Sequence, residues 1–180
     1  VVCGEIDPVY FLSFLPKKVK KIAYAASFGG ASVEEKNKTR IKSWLKEYNK
    51  ITIRENSGIK IASELGIHAE QVLDPTFLLD KNEWEKLIPN RKCDEKYVLV
   101  YQLHPNKQFD AYAKEFAKRK GLKLYRVSHC FHHIVRSGKF ICCPPVGEFL
   151  WYIKNAEYFL TDSFHGTAFS IGLNTQFADV

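Results

Sequence analysis

The feature that most constrains the fold is an alternation of strand-like and helix-like segments along the whole chain. Residues 97–101, Tyr-Val-Leu-Val-Tyr, form an almost continuous apolar run, which is typical of a parallel strand buried on both faces. Shorter apolar runs predict further strands at residues 22–27, 51–54, 71–73, 122–127 and 158–161, and we expect the strand at 22–27 to be buried. Strands that alternate with helices pack as parallel sheets covered by those helices. The sequence therefore predicts an α/β fold with doubly wound parallel sheets.

The helical segments are identified by apolar residues at helical spacing. In residues 34–48, for example, Ile41, Trp44 and Leu45 fall on one face. Further helices are predicted at residues 57–66, 81–87, 109–120 and 146–153, and after the strand at 158–161. Each predicted strand is thus followed by a predicted helix, as parallel pairing requires.

One polar segment, residues 88–95, interrupts the alternation and contains a proline, which is typical of a linker. We therefore predict two Rossmann-like units, residues 1–89 and residues 90–180. The sequence has no methionine, not even at position 1, and its last residues resemble a strand cut short. We therefore expect the chain to be a fragment, with the first unit incomplete at its start and the second incomplete at its end.

The net charge of +7 and the isoelectric point near 9.1 favour anionic partners, which include nucleic acid, an anionic membrane surface and a phosphorylated substrate. No basic tract is interleaved with aromatic residues, so we expect no nucleic-acid partner. No apolar run approaches the roughly 20 residues of a membrane span. Any contact with a membrane is therefore expected to be peripheral.

The five cysteines form no CxxC pair, which favours reduced thiols in a cytoplasmic protein. Residues 129–133 contain three histidines and a cysteine, and Cys142 and Cys143 follow. This spacing matches no zinc pattern. We interpret residues 129–133 as a loop and expect neither a metal nor a cofactor.

Candidate site residues are those that follow the predicted strands, because ligands of open α/β sheets bind beyond the carboxyl ends of the strands. These segments are residues 27–30, 54–58, 74–76, 102–104 and 162–166. We expect all of them to lie along one crevice.

The last of these segments belongs to Thr-Asp-Ser-Phe-His-Gly-Thr, residues 161–167, and is the most informative. Asp162 or Ser163 can cap the helix that follows, and Gly166 allows a close approach of the backbone. The free N–H groups of the first helical turn then favour an anion, and His165 can exchange a proton near neutral pH. The alternative is a plain helix cap with a histidine bonded to a backbone carbonyl.

Two further positions suit an anionic ligand. Arg54 follows a predicted strand and can bind a phosphate or carboxylate in a bidentate manner; the alternative is a surface ion pair with Glu55 or with the helix that follows. Ser27 and Gly29 belong to a turn that lets a ligand approach the backbone but lacks the dinucleotide-binding spacing. Asp74, next to a proline, is interpreted as a turn residue.

Four segments together resemble the polysaccharide pyruvyl transferase family: residues 20–29, 53–58, 73–79 and 161–167, in this order. The resemblance implies a glycosyltransferase-B-like arrangement of two Rossmann-type units. It also implies transfer of a pyruvyl group from phosphoenolpyruvate to a sugar, giving a pyruvate ketal on a cell-surface glycan or its lipid-linked precursor. Family members often carry a Gly-Ser-Asp-Gln-x-Trp stretch before the segment that matches residues 7–12, and residues 1–6 lack it.

The predicted site therefore comprises the following residues: catalytic His165 and Asp162, and substrate-binding Arg54, Ser163, Gly166, Thr167, Ser27 and Gly29. Phosphoenolpyruvate, the donor substrate, carries a phosphate and a carboxylate, which suit Arg54 and a helix N-terminus. Asp162 either orients His165 or caps the helix. The implied location is cytoplasmic, at the inner face of the membrane where the acceptor is lipid-linked.

Two other functions fit the same pattern. One is a glycosyltransferase that uses a nucleotide sugar on the same architecture. The other is a non-catalytic scaffold that binds a glycan or a protein, which the missing upstream stretch would explain.

Overall fold

A computed structural model of the protein describes residues 6–179, except for the side chains of His132 and His133. The predicted departure from the family at residues 1–6 therefore lies, apart from Ile6, outside the described residues. The chain packs as two compact units that divide between Pro75 and Thr76. Residues 76–88 pack within the second unit, where the Trp84 ring meets Phe169 edge-on at 5.1 Å. The polar segment at 88–95 therefore lies inside the second unit.

The first unit is a three-stranded parallel sheet in the order β1-β2-β3. After a 3-10 helix at Pro8–Phe11 come β1 (Ile22–Ala26), α1 (Glu35–Leu45), β2 (Lys50–Ile53), α2 (Asn56–Glu64) and β3 (Glu70–Gln71). The core is aliphatic and lies between the sheet and the two helices, with Ile41, Ile53 and Ile61 almost fully buried.

The expectation that β1 is a buried strand is wrong for two of its five residues. Ile22 is 63% exposed and Tyr24 is 50% exposed. The physical reason is position, because β1 lies at the end of the strand order and is paired along one side with β2 within the described residues. The pairing is also irregular between Ala23 and Ala26. The Thr52 hydroxyl fills this irregularity by accepting from Ala25 N and donating to Ala23 O.

The second unit is a five-stranded parallel sheet in the order β6-β5-β4-β7-β8. Its helices are α3 (Lys81–Glu85), α4 (Lys107–Lys120), α5 (Val146–Lys154) and α6 (Phe164–Leu173), with 3-10 helices at Pro75–Leu78 and Phe131–Val135. Its strands are β4 (Tyr97–Tyr101), β5 (Lys123–Ser128), β6 (Lys139–Cys142), β7 (Tyr158–Thr161) and β8 (Phe177–Asp179).

Strand β4 is the centre of this unit, as its apolar run predicts. Residues 97–100 are 0% exposed. Tyr97 and Leu99 pack with residues of α5 and α6, and Val98 and Val100 pack with α4. Burial of such side chains contributes about 1.5–3 kcal/mol each. The α/β class and the parallel sheets are therefore confirmed, and the glycosyltransferase-B-like arrangement of the two units stays a prediction.

None of the helices within residues 6–179 combines the length and the apolar character that crossing a membrane would require.

Candidate functional site

The strand order of the second unit reverses between β4 and β7. From β4 the chain proceeds to β5 and β6 on one side, whereas β7 and β8 lie on the other side. Tyr101 and Thr161, the last residues of β4 and β7, are register partners. The helices that follow these two strands, α4 and α6, pack against different faces of the sheet, and at such a point open α/β sheets bind their ligands in a crevice. Residues 102–106 and 162–163 therefore occupy the expected binding position of this sheet.

The turn after β7 is fixed by two hydroxyl groups. Thr161 is fully buried, and its Oγ1 donates to Tyr101 O at 2.7 Å and accepts from Ser163 N at 3.0 Å. Ser163 is the N-cap of α6, since its Oγ accepts from Gly166 N at 3.3 Å. The capping alternative for Asp162 is therefore wrong, and the cap belongs to Ser163. Thr167 lies half-buried in the first turn of α6.

Gly166 lies against the end of strand β7. A Cβ atom at this residue would lie 2.6 Å from Thr161 Oγ1, so the absence of a side chain lets α6 pack closely against the end of β7. The close backbone approach predicted from the sequence is thus an approach to Thr161.

The Asp162 carboxylate binds the loop that follows β4. Its Oδ1 accepts from Leu103 N at 2.6 Å, and its Oδ2 accepts from His104 N at 2.9 Å. The same Oδ2 lies 3.2 Å from His104 Nδ1. One carboxylate therefore joins the two loops that border the crevice. Orientation of His165 by Asp162 stays a prediction.

His165 is the second residue of α6 and is exposed. Its ring meets the Phe164 ring edge-on at 5.3 Å. A contact between His165 and a bound anion stays a prediction.

The first unit contains the other predicted residues. Arg54 follows β2, and its Nη1 donates to Ala25 O at 3.1 Å. Its Nε lies 3.6 Å from Asp74 Oδ2, and the Asp74 side chain is only 2% exposed. The alternative partner, Glu55, instead accepts from Phe28 N at 2.8 Å. Sequence reasoning treated Asp74 as a turn residue and missed this pairing, although a carboxylate directly after a strand was a usable signal.

The glycine turn after β1 is held by local contacts. Ser27 Oγ accepts from Gly29 N at 3.0 Å, and Gly29 has a φ of 67°, in the left-handed region that favours glycine. Ser27 also lines a cavity of about 850 Å³ in the first unit, together with Asn37 and Arg40 of α1.

The structure thus brings the predicted residues together as two sets, one in each unit. Ser27, Gly29 and Arg54 lie in the first unit, at the carboxyl ends of β1 and β2. The second set follows β7 in the second unit and comprises Asp162, Ser163, His165, Gly166 and Thr167. A single crevice that contains both sets stays a prediction.

Sequence reasoning missed a charged network beside the crevice. Asp110, in the first turn of α4, forms ion pairs with two arginines: its Oδ1 lies 2.9 Å from Arg126 Nη1, and its Oδ2 lies 3.1 Å from Arg136 Nη1. Gln102 Oε1 lies 3.0 Å from Arg136 Nη1, and Gln102 is 3% exposed. Burial lowers the pKa of the Arg126 guanidinium, which Asp110 opposes. No sequence motif marks this network, because its members come from separate elements.

The cysteines and histidines form no metal centre among the side chains that the structure describes. Cys93, Cys130, Cys142 and Cys143 are free thiols. Cys3 lies outside the described residues.

A family model described as Polysaccharide pyruvyl transferase matches residues 1–178. No curated protein matches the chain. No solved structure matches it.

Proposed function

Because the chain belongs to the polysaccharide pyruvyl transferase family, we propose that it transfers a pyruvyl group from phosphoenolpyruvate to a sugar of a cell-surface polysaccharide or its precursor. The product is a pyruvate ketal. The observation that carries this proposal is the family match, which extends over residues 1–178. The position of the residue 161–167 motif at the strand-order reversal of the second sheet supports it.

The reaction requires three events at the donor. A proton is added to the methylene carbon, a first sugar hydroxyl adds to the carbon that bears the phosphate, and a second hydroxyl displaces the phosphate. Two hydroxyl protons are released; one replaces the proton consumed at carbon, and the other leaves with inorganic phosphate. The site must therefore bind a dianionic phosphate and a carboxylate, and it must supply both an acid and a base.

The described residues suit these tasks. The Arg54 guanidinium can bind a carboxylate or phosphate in a bidentate manner. The N–H groups at the start of α6, where Ser163 is the N-cap and Gly166 lies in the first turn, favour an anion. His165 gives or takes the proton near neutral pH.

We further propose that the acceptor is a glycan or a lipid-linked sugar and that the protein acts in the cytoplasm. A net charge of +7 favours peripheral contact with an anionic inner membrane face when the acceptor is lipid-linked.

The proposal is tested by following phosphate release from phosphoenolpyruvate in the full-length enzyme with a panel of glycan acceptors, and by detecting the ketal by mass spectrometry. Loss of a proton-transfer group costs roughly 10²–10⁴-fold in rate, so His165→Ala should reduce kcat by that amount. Arg54→Ala should chiefly raise the KM for phosphoenolpyruvate.

The matched controls are an exposed histidine and an exposed arginine. Both precede strands, whereas the predicted site residues follow strands. His68 lies before β3, and Arg119 lies in the last turn of α4. His68→Ala and Arg119→Ala should retain the wild-type rate. Unchanged rates in His165→Ala and Arg54→Ala would reject the site assignment.

A thermal-shift screen distinguishes pyruvyl transfer from the other two functions, because a ligand that binds the native state stabilises it. Stabilisation by nucleotide sugars but not by phosphoenolpyruvate would favour a glycosyltransferase. Glycan binding without turnover would favour a scaffold.

A further inference from the structure

We propose that His104, oriented by Asp162, is a second proton-transfer residue of the pyruvyl transfer reaction, in addition to His165. The inference rests on the proposed function. It assigns a role to a histidine that no motif marks, and it makes Asp162 a positioning residue for His104.

The first support is the geometry of the His104–Asp162 pair. The carboxylate accepts from two consecutive backbone amides, those of Leu103 and His104, so its orientation is fixed. Its Oδ2 also lies 3.2 Å from His104 Nδ1. A carboxylate at Nδ1 favours the tautomer that carries its proton on Nδ1. The Nε2 atom then has a free lone pair, which is the arrangement of a general base.

The second support is the contrast in exposure between the two partners. The His104 side chain is 80% exposed, whereas that of Asp162 is 13% exposed. The imidazole is therefore held on its inner side and presents its other side to solvent, where a substrate can reach it.

The third support is the rigidity of the loop that carries His104. The Gln102 amide donates to His104 O at 2.8 Å and to Asn106 O at 3.3 Å. The oxygen of the same amide accepts from Arg136. Gln102 therefore fixes the backbone of the loop in addition to Asp162, which gives the imidazole a defined position.

The fourth support is location. His104 follows β4 and Asp162 follows β7, the two strands between which the order of the sheet reverses. Ligands bind at this point. His165 is the second residue of α6 and lies three residues after Asp162, so the two histidines follow the neighbouring ends of β4 and β7.

The reaction has work for two such groups. One proton must be added to the methylene carbon of phosphoenolpyruvate, and two must be removed from the sugar hydroxyls. If one histidine begins protonated and the other neutral, the first supplies the carbon-bound proton while the second accepts a hydroxyl proton. The second hydroxyl proton leaves with the phosphate, and proton exchange with solvent returns the two histidines to their starting states, so protons balance over one turnover.

The charged and titratable groups around His104 come from three directions. Asp162 lies on the β7–α6 turn, Tyr101 ends β4, and burial together with Asp162 raises the pKa of this tyrosine. Asp110, Arg126 and Arg136 form the network behind Gln102. A pH profile of the enzyme must therefore be interpreted with variants rather than alone.

The test uses the full-length enzyme with His104→Gln, Asp162→Asn, the double variant, and His68→Gln as the matched control. His104→Gln should lower kcat roughly 10²–10⁴-fold and remove one limb of the pH profile of kcat, with little change in the KM for phosphoenolpyruvate. Asp162→Asn should also lower kcat, because an amide can hold the opposite tautomer. His68→Gln should leave kcat unchanged.

The double variant distinguishes positioning from a structural role. If Asp162 acts through His104, the Asp162→Asn change should have almost no further effect on kcat when His104 is already glutamine. A full additional loss in the double variant, or a wild-type kcat in His104→Gln, would overturn the inference.

A readout independent of turnover is the ¹⁵N NMR spectrum of the histidine side chains. Neutral His104 should carry its proton on Nδ1 in the wild type, and this preference should be lost in Asp162→Asn. A proton on Nε2 in the wild type would overturn the inference even without an acceptor in hand. Absence of ketal product in the wild type, with the expected tautomer, would instead count against the proposed function.

Discussion

Gly166 lies at the closest approach between α6 and β7. The Thr161 hydroxyl, which a Cβ atom would meet at 2.6 Å, is fixed by its bonds to Tyr101 and Ser163 and cannot move aside. We therefore expect Gly166→Ala to reduce the free energy of unfolding by about 1–3 kcal/mol, the usual cost of overpacking. Urea unfolding measures this change.

Gly172 provides the control for this prediction within the same helix. A Cβ atom there meets no other atom within 4 Å, so Gly172→Ala should raise the free energy of unfolding by up to about 1 kcal/mol through helix propensity. Equal destabilisation by both substitutions would show that helix geometry, and not the contact with Thr161, determines the effect of Gly166→Ala on stability.

Residue roles at this turn were only partly predictable from the sequence. The pattern Asp-Ser-x-His-Gly correctly predicted a capped helix after a strand. It could not decide between Asp162 and Ser163, because both side chains can cap. The decisive partners of Asp162 are the amides of Leu103 and His104, which lie 59 and 58 residues earlier in the chain. Such a pairing becomes visible only when β4 and β7 are placed side by side.

At the scale of elements, Asp110 links α4 to β5 and to the segment before β6. It is the carboxylate partner of two guanidinium groups, and the Arg126 side chain is only 2% exposed. Asp110→Asn would leave a buried cation without its counter-charge. Breaking a buried pair costs roughly 3–5 kcal/mol. Since Asp110 is itself partly exposed, we expect a loss of about 3 kcal/mol in the free energy of unfolding.

The control for Asp110 is Glu115→Gln, an exposed acid on the same helix. This substitution removes the same charge far from the two arginines and should change stability by less than about 0.5 kcal/mol. A loss in Asp110→Asn no larger than that of the control would contradict a structural role for the network.

The elements most accurately predicted are those that are buried on both faces. β4 is apolar throughout because both of its faces are covered, and its sequence shows this directly. β6 was missed. It lies at the end of the strand order, so its residues are partly exposed, and its apolar and polar residues show no clear alternation. β1 was found but expected to be buried, since the sequence does not tell which strand lies at an edge.

At the scale of the whole molecule, the chain contains separate cores in its two units. The core of the first is largely aliphatic, whereas that of the second includes stacked aromatic rings, among them Tyr97 and Tyr125 at 4.4 Å. Buried phenols make the stability of the second unit depend on pH in the alkaline range. Burial raises the pKa of Tyr97 well above its usual value near 10.

The sign of this dependence follows from proton linkage. Above pH 10 the unfolded chain releases the Tyr97 proton, whereas the folded chain retains it. The free energy of unfolding therefore falls by about 1.4 kcal/mol per pH unit through this one group. Below pH 10 both states retain the proton, and Tyr97 contributes its full stability through the hydrogen bond from its hydroxyl to Tyr152 O at 2.8 Å.

We therefore expect the destabilisation by Tyr97→Phe to shrink or reverse as the pH rises. At pH 8 the variant should be about 1–2 kcal/mol less stable than the wild type, because Tyr152 O loses its donor. At pH 11.5 the wild type should have lost about 2 kcal/mol that the phenylalanine variant does not lose, so the two stabilities should converge or cross. Urea unfolding at both pH values measures the difference. The control is Tyr112→Phe, at an exposed position of α4, which should change the free energy of unfolding equally at both pH values. If the effect of Tyr97→Phe were also the same at both pH values, the Tyr97 phenol would titrate alike in the folded and unfolded states.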